Sequence, residues 1–173
     1  MSKMIGIVGG LGPKAGEHLH AKILANTRAV SDADHLRIVL YTNPAIPDRA
    51  SFIRGETKEN PAHEMVRSLV LLRHMGAEVL CIPCNTGHAP VIWDQVVTGF
   101  APHANGAELL HIVNLTVEYL VRNYPNTSHV GILSTTATRD CGIYQMALSH
   151  HNVRAIFPTE THQRHVEAAI YDP

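Results

Sequence analysis

The side chain best placed for chemistry is Cys84. It follows the apolar run Glu78-Val-Leu-Cys-Ile-Pro83 and opens Cys84-Asn-Thr-Gly-His88, where a buried strand gives way to the next helix. Open α/β sheets bind ligands at the carboxyl ends of their strands. Backbone N–H groups and a helix dipole at such a point favour thiolate over thiol and also hold a carboxylate. Asn85 and Thr86 add side-chain donors suited to a carboxylate, and His88 could exchange a proton with the thiol or cap the turn. The plain alternative for Cys84 is a buried core cysteine.

Other residues fall into place around it. Gly10-Leu-Gly-Pro-Lys-Ala15 follows a strand and fits the loose form of a dinucleotide loop, but the second strand ends in Tyr41-Thr-Asn43 without an acidic partner for a ribose. A glycine loop of this kind instead offers amides to a small anion. Arg49, in a loop bounded by Pro44 and Pro47, could clamp a carboxylate bidentately or be a solvated loop arginine. Thr135 and Thr138 either donate to a ligand or cap a helix. Cys81 and Cys84 match Cys-x-x-Cys, which raises a redox dithiol. A three-residue step along a strand, however, points the two side chains to opposite faces, so Cys81 reads as core. Cys141 reads as core or surface. No zinc pattern completes itself, and the 13 histidines are scattered over the chain as solvated side chains rather than gathered as a metal tract.

The elements that must hold these residues alternate. Met4–Gly9 reads as a buried parallel strand, 14–30 as a helix with Pro13 at its first position, and Arg37–Thr42 as a second strand. Asn60-Pro61 starts a helix that ends at Gly76, and Glu78–Pro83 is the third strand. The Gly-, Pro- and Asn-rich stretch 98–108 marks a domain boundary, giving a first lobe at 1–100 and a second at 101–173. Beyond it come strands near 109–113, 129–134 and 153–157, with helices near 115–123, 139–150 and from 161 onward. Alternating strand and helix implies an α/β fold of parallel sheets flanked by helices.

Composition narrows the function classes. With 173 residues, 45% hydrophobic and 17% charged, the chain can bury a core. Lys+Arg 14 against Asp+Glu 15 supplies no basic field for nucleic acid and no polybasic strip for a membrane. No apolar run approaches the roughly 20 residues of a membrane span. Three cysteines and a start without a signal-peptide pattern are expected of a cytoplasmic protein.

Ile5-Gly-Ile-Val-Gly-Gly10 and Val130-Gly-Ile-Leu-Ser-Thr135 share one pattern, so the lobes read as pseudo-symmetric copies. On that reading the second lobe is incomplete, since the counterpart of the Cys84 strand would come after Pro173.

Taken together, Ile7-Val-Gly-Gly-Leu-Gly-Pro13, Asn43 with Ile46-Pro-Asp-Arg49, Pro83-Cys-Asn-Thr-Gly-His88 and Gly131-Ile-Leu-Ser-Thr-Thr-Ala-Thr138 resemble the aspartate/glutamate racemase family, its aspartate racemase branch in particular. The resemblance implies a cofactor-independent racemase that holds a small amino-acid dicarboxylate between two lobes and moves the α-proton with two thiols. It assigns Cys84 as the first-lobe acid/base, Asn85, Thr86, Thr135 and Thr138 as carboxylate holders, and Arg49 as the side-chain clamp. Gly10, Leu11 and Asn43 would complete the binding site, and a homodimer is the implied assembly. The family's second cysteine belongs to a Gly-Cys-Thr-Glu-like block that this chain ends before, so a C-terminally truncated chain of impaired activity is expected. A non-catalytic carboxylate binder and a Cys81/Cys84 redox protein are the alternatives.

Overall fold

The computed structural model describes residues 2–171; Met1, Asp172 and Pro173, the last two at the end of the expected second lobe, lie outside the described residues. In chain order the elements are β1 (Ile5–Gly9), α1 (Pro13–Asn26), β2 (Ile38–Thr42), α2 (Arg49–Ile53), α3 (Pro61–His74), β3 (Val79–Cys81), α4 (Pro90–Phe100), β4 (Glu108–Leu110), α5 (Ile112–Asn123), β5 (His129–Gly131), α6 (Thr136–Asp140), α7 (Ile143–Ser149), β6 (Arg154–Ile156) and α8 (Glu160–Tyr171). Two parallel sheets result, one ordered β2-β1-β3-β4 and one pairing β5 with β6.

Local chemistry accounts for the boundaries. Asn60 accepts a hydrogen bond from the Ala62 amide at 2.9 Å, and Pro61 fills the first helical position, so α3 begins there as its sequence dictates. The first helix stops at Asn26 rather than 30. Asn26 and Thr27 side chains donate to the carbonyls of Lys22 and Ile23, and Val30 and Ser31 instead donate to the Asp34 carboxylate of a separate capped turn. The third strand pairs only as far as Cys81, because Pro83 has no N–H for a ladder. The helix expected over 139–150 is two, broken at Gly142, whose φ of 69° lies in the left-handed region.

The boundary expected at 100/101 does not divide the sheets. Thr98 lies within α4, and β4 pairs in parallel with β3 through Val79–Glu108, Leu80–Leu109 and Cys81–Leu110. The first sheet therefore extends through Leu110, and the second begins with β5. Apolar side chains of β1, β3, α3 and α4 form the main core, with Val8, Met65, Leu69, Leu80, Ile92 and Val96 fully buried. The second lobe has a smaller core built on Val117, Leu148 and Val153.

Candidate active site

The first sheet reverses its order at β1: the chain goes from β1 out to β2, then returns to lay β3 on the other side of β1. Such a switch point leaves a crevice beyond the strands' carboxyl ends. Leu11 and Gly12 follow β1, and Cys84 follows β3, on the two sides of that crevice. A cleft of about 720 Å³ opens there, lined from the first lobe by Leu11, Arg49, Cys84, Asn85 and Thr86, and from the second by Ser134, Thr135, Thr138 and Tyr144.

Cys84 is 8% exposed, so its thiol belongs to the cleft wall rather than to open solvent. Its Sγ lies 3.4 Å from the Thr86 hydroxyl, and its amide donates to the Ile82 carbonyl at 2.8 Å. Gly87 keeps the turn tight: a Cβ there would meet the Met65 side chain at 3.2 Å. Asn85 is exposed in the cleft and accepts from the Tyr144 hydroxyl at 2.8 Å. Thr135 caps α6, its hydroxyl accepting from the Thr138 amide at 3.3 Å and lying 3.0 Å from the Thr138 hydroxyl. Both threonines thus line the cleft while Thr135 caps the helix.

Arg49 is the first residue of α2, whose cap Asp48 accepts from the Ser51 amide at 2.7 Å. One guanidinium nitrogen donates to the carbonyls of Pro47 and Ile46, at 3.0 and 3.4 Å. Its Nε is buried and has no hydrogen-bond partner among the described residues. A buried donor left in that state costs free energy unless something accepts from it, and it sits in the wall that also holds Cys84.

Two expected site residues do not line the cleft. Asn43 is turned inward: Nδ2 donates to the Ser68 hydroxyl at 3.2 Å and Oδ1 accepts from the Ala45 amide at 3.1 Å. Gly10 closes the junction of β1 and β2 against Asn43. Its φ is 96°, and a Cβ would come within 2.3 Å of the Asn43 carbonyl oxygen. Both belong to the packing beneath the cleft wall.

His88 does not exchange a proton with the thiol, because both ring nitrogens are engaged with backbone. The Ile112 amide donates to Nε2 at 3.4 Å, which leaves the proton on Nδ1 to be donated to the Cys84 carbonyl at 2.8 Å. The ring is 1% exposed, stacks on Trp93 at 4.2 Å and meets His111 edge-on at 4.6 Å. Burial first, with His111 adding to it, pushes His88 down to about 4, so it is neutral near pH 7. Cys81 lies in the interior with Sγ 3.7 Å from the Gly6 carbonyl, and burial pushes its thiol up to about 12, where it has almost no thiolate to offer a redox exchange. Cys141 caps the end of α6 and donates to the Thr138 carbonyl; burial raises it too. Among the described residues, no group of three His, Cys, Asp or Glu side chains is placed to hold a metal, and no helix is long and apolar enough to cross a membrane.

A sequence profile of the Asp/Glu/hydantoin racemase family matches residues 8–172. The chain belongs to this family. It is 26% identical over 171 residues to the broad specificity amino-acid racemase RacX of Bacillus subtilis, covering 96% of this chain and 67% of that protein. It superposes on the Picrophilus torridus aspartate racemase with a TM-score of 0.82 at 29% identity, over 98% of this chain and 67% of the other. An aspartate racemase homologue from Pyrococcus horikoshii superposes with a TM-score of 0.75 at 20% identity, over 99% and 71% of the two chains, and shares the fold.

Tyr144 lines the cleft with a polar group and has no signal in the sequence. It lies at a helical position typical of core aromatics, and only the closure of α7 against the Cys84 turn gives its hydroxyl a partner.

Proposed function

We propose that the Cys84 cleft is the site of a cofactor-independent amino-acid racemase acting on a small acidic amino acid. The observation that carries this reading is the pairing in one wall of a recessed thiol with an arginine whose buried Nε has no acceptor among the described residues. A dicarboxylate suits both: Arg49 takes the side-chain carboxylate, while Asn85, Thr86, Thr135 and Thr138 donate to the α-carboxylate.

In the proposed step the Cys84 thiolate takes the α-proton. The Cα–H bond breaks, an S–H bond forms, and the electron pair passes into the α-carboxylate, whose growing charge the fixed donors stabilise. Return of a proton to the opposite face inverts the centre. Cys84 is the cysteine that lines the cleft among the described residues, so these residues furnish the base for one face. The reaction expected of Cys84 is therefore exchange of the α-proton at one face.

Incubation of aspartate and glutamate in D2O, followed by NMR of the α-proton, tests this. Cys84→Ser lowers the exchange rate by about 10²–10⁴-fold, the usual contribution of a positioned acid/base. Exchange that survives the substitution unchanged sinks the role given to Cys84. Dicarboxylate uptake seen by calorimetry in a chain that exchanges no deuterium identifies a binding protein instead.

A further inference from the structure

The geometry points to Tyr144 as a positioning residue for the cleft: reaching from the second lobe, its hydroxyl holds the Asn85 side chain beside Cys84. The inference rests on the reading of this cleft as a carboxylate site, and it adds a residue to it.

An asparagine amide has two unlike ends. Its oxygen only accepts and repels a carboxylate, while its NH2 donates and attracts one. Asn85 is exposed, and its side chain makes no capping bond to the Thr86–His88 turn that follows it, so its own lobe leaves the amide free to turn over. The Tyr144 hydroxyl, 59 residues away in sequence, donates to Oδ1 at 2.8 Å. That bond tethers the amide in the cleft beside Cys84.

Packing places that hydroxyl. The Tyr144 ring lies against two apolar clusters, one of Ala89, Val113 and Ile143 and one of Val117, Leu148 and Val153. The position of the oxygen therefore follows from the ring and not from the bond it makes. Burial also raises the phenol above its ordinary value, so the hydroxyl stays protonated and neutral. The same contact joins the lobes directly next to the reactive cysteine.

Tyr144→Phe keeps the packed ring and removes only the oxygen, so the test does not depend on a disrupted fold. In the ligand-free protein, the side-chain NH2 resonances of Asn85, identified by their loss in Asn85→Ala, shift in Tyr144→Phe as the amide loses its tether. Unshifted resonances overturn the proposal. Calorimetry with aspartate and with glutamate then reads the consequence. Tyr144→Phe weakens binding about five- to tenfold, the worth of one hydrogen bond, and the double variant binds no more weakly than Asn85→Ala alone. Additive losses, or binding in Tyr144→Phe as tight as in the unsubstituted chain, overturn it as well. If the unsubstituted chain takes up neither acid, the carboxylate reading of the cleft fails, and the amide resonances alone decide whether Tyr144 holds Asn85.

Discussion

Two segments of nearly the same pattern enter the cleft from opposite lobes. Ile5–Gly10 runs through the middle of the four-stranded sheet, between β2 and β3, and its residues 6–9 are buried. Val130–Thr135 leaves a two-stranded sheet in which β5 is half-buried at Val130 and exposed on either side. The shared glycines do different jobs. A Cβ on Gly6 would sit 2.7 Å from Leu80 and 2.9 Å from Ala77, whereas one on Gly131 meets nothing within 4 Å. The first segment is held by apolar packing. The second is held by polar ties from α8: Gln163 donates to the Ser134 carbonyl at 2.8 Å, and the Glu167 carboxylate accepts from the Thr136 amide and hydroxyl at 2.7 and 2.9 Å. One half of the site is thus a scaffold fixed by its core, and the other a turn fixed by hydrogen bonds.

This contrast can be broken by substitution. Leu80 is fully buried in the main core, so Leu80→Ala costs about 4 kcal/mol of unfolding free energy, while Val130→Ala, at a half-buried position, costs about 1 kcal/mol. Urea unfolding of the two variants checks this, and equal losses remove the distinction between the lobes.

A second measurement concerns His88, which ties the Cys84 turn of the first half to the start of α5. Its ordinary value of 6.5 falls to about 4 on folding, so the unfolded chain binds the extra proton between those limits. Stability is then unaffected by this group above pH 6.5 and declines as the pH falls toward 4, by about 3 kcal/mol across the window. Unfolding midpoints followed over that range show the decline, and His88→Gln loses this part of it. A variant with an unaltered pH dependence disproves the buried, neutral imidazole. The smallest effect separates the matched glycines. Gly6→Ala overpacks the first sheet and costs about 2 kcal/mol, and Gly131→Ala changes stability by less than about 0.5 kcal/mol.

Part of the site was legible before any coordinates. Cys84, Asn85, Thr86, Arg49, Leu11, Thr135 and Thr138 stand next to strand ends or helix starts in the sequence, and all of them line the cleft. Adjacency in sequence is enough there, because a strand end in an α/β sheet delivers its next residues to the crevice. Gly10 and Asn43 show its limit. They occupy equally suggestive loop positions, but which way an asparagine turns depends on its partner, and that partner is Ser68 on α3. The stretch 98–108 misled for a related reason. Glycine, proline and asparagine report local bends, whereas the assignment of β4 to the first sheet rests on its pairing with β3, about thirty residues earlier.

The order of apolar runs and breakers in the sequence determines the alternation of strand and helix, and with it the α/β class and the placing of Cys84 at a strand's end. Periodicity and turn chemistry act over a few residues, so they can be read directly. Tertiary structure alone decides that Arg49 Nε is buried without an acceptor among the described residues, that His88 is locked between two backbone groups, and that Tyr144 meets Asn85. Each depends on chain segments brought together by packing, and burial and long-range hydrogen bonds are properties of that packing rather than of neighbouring residue types.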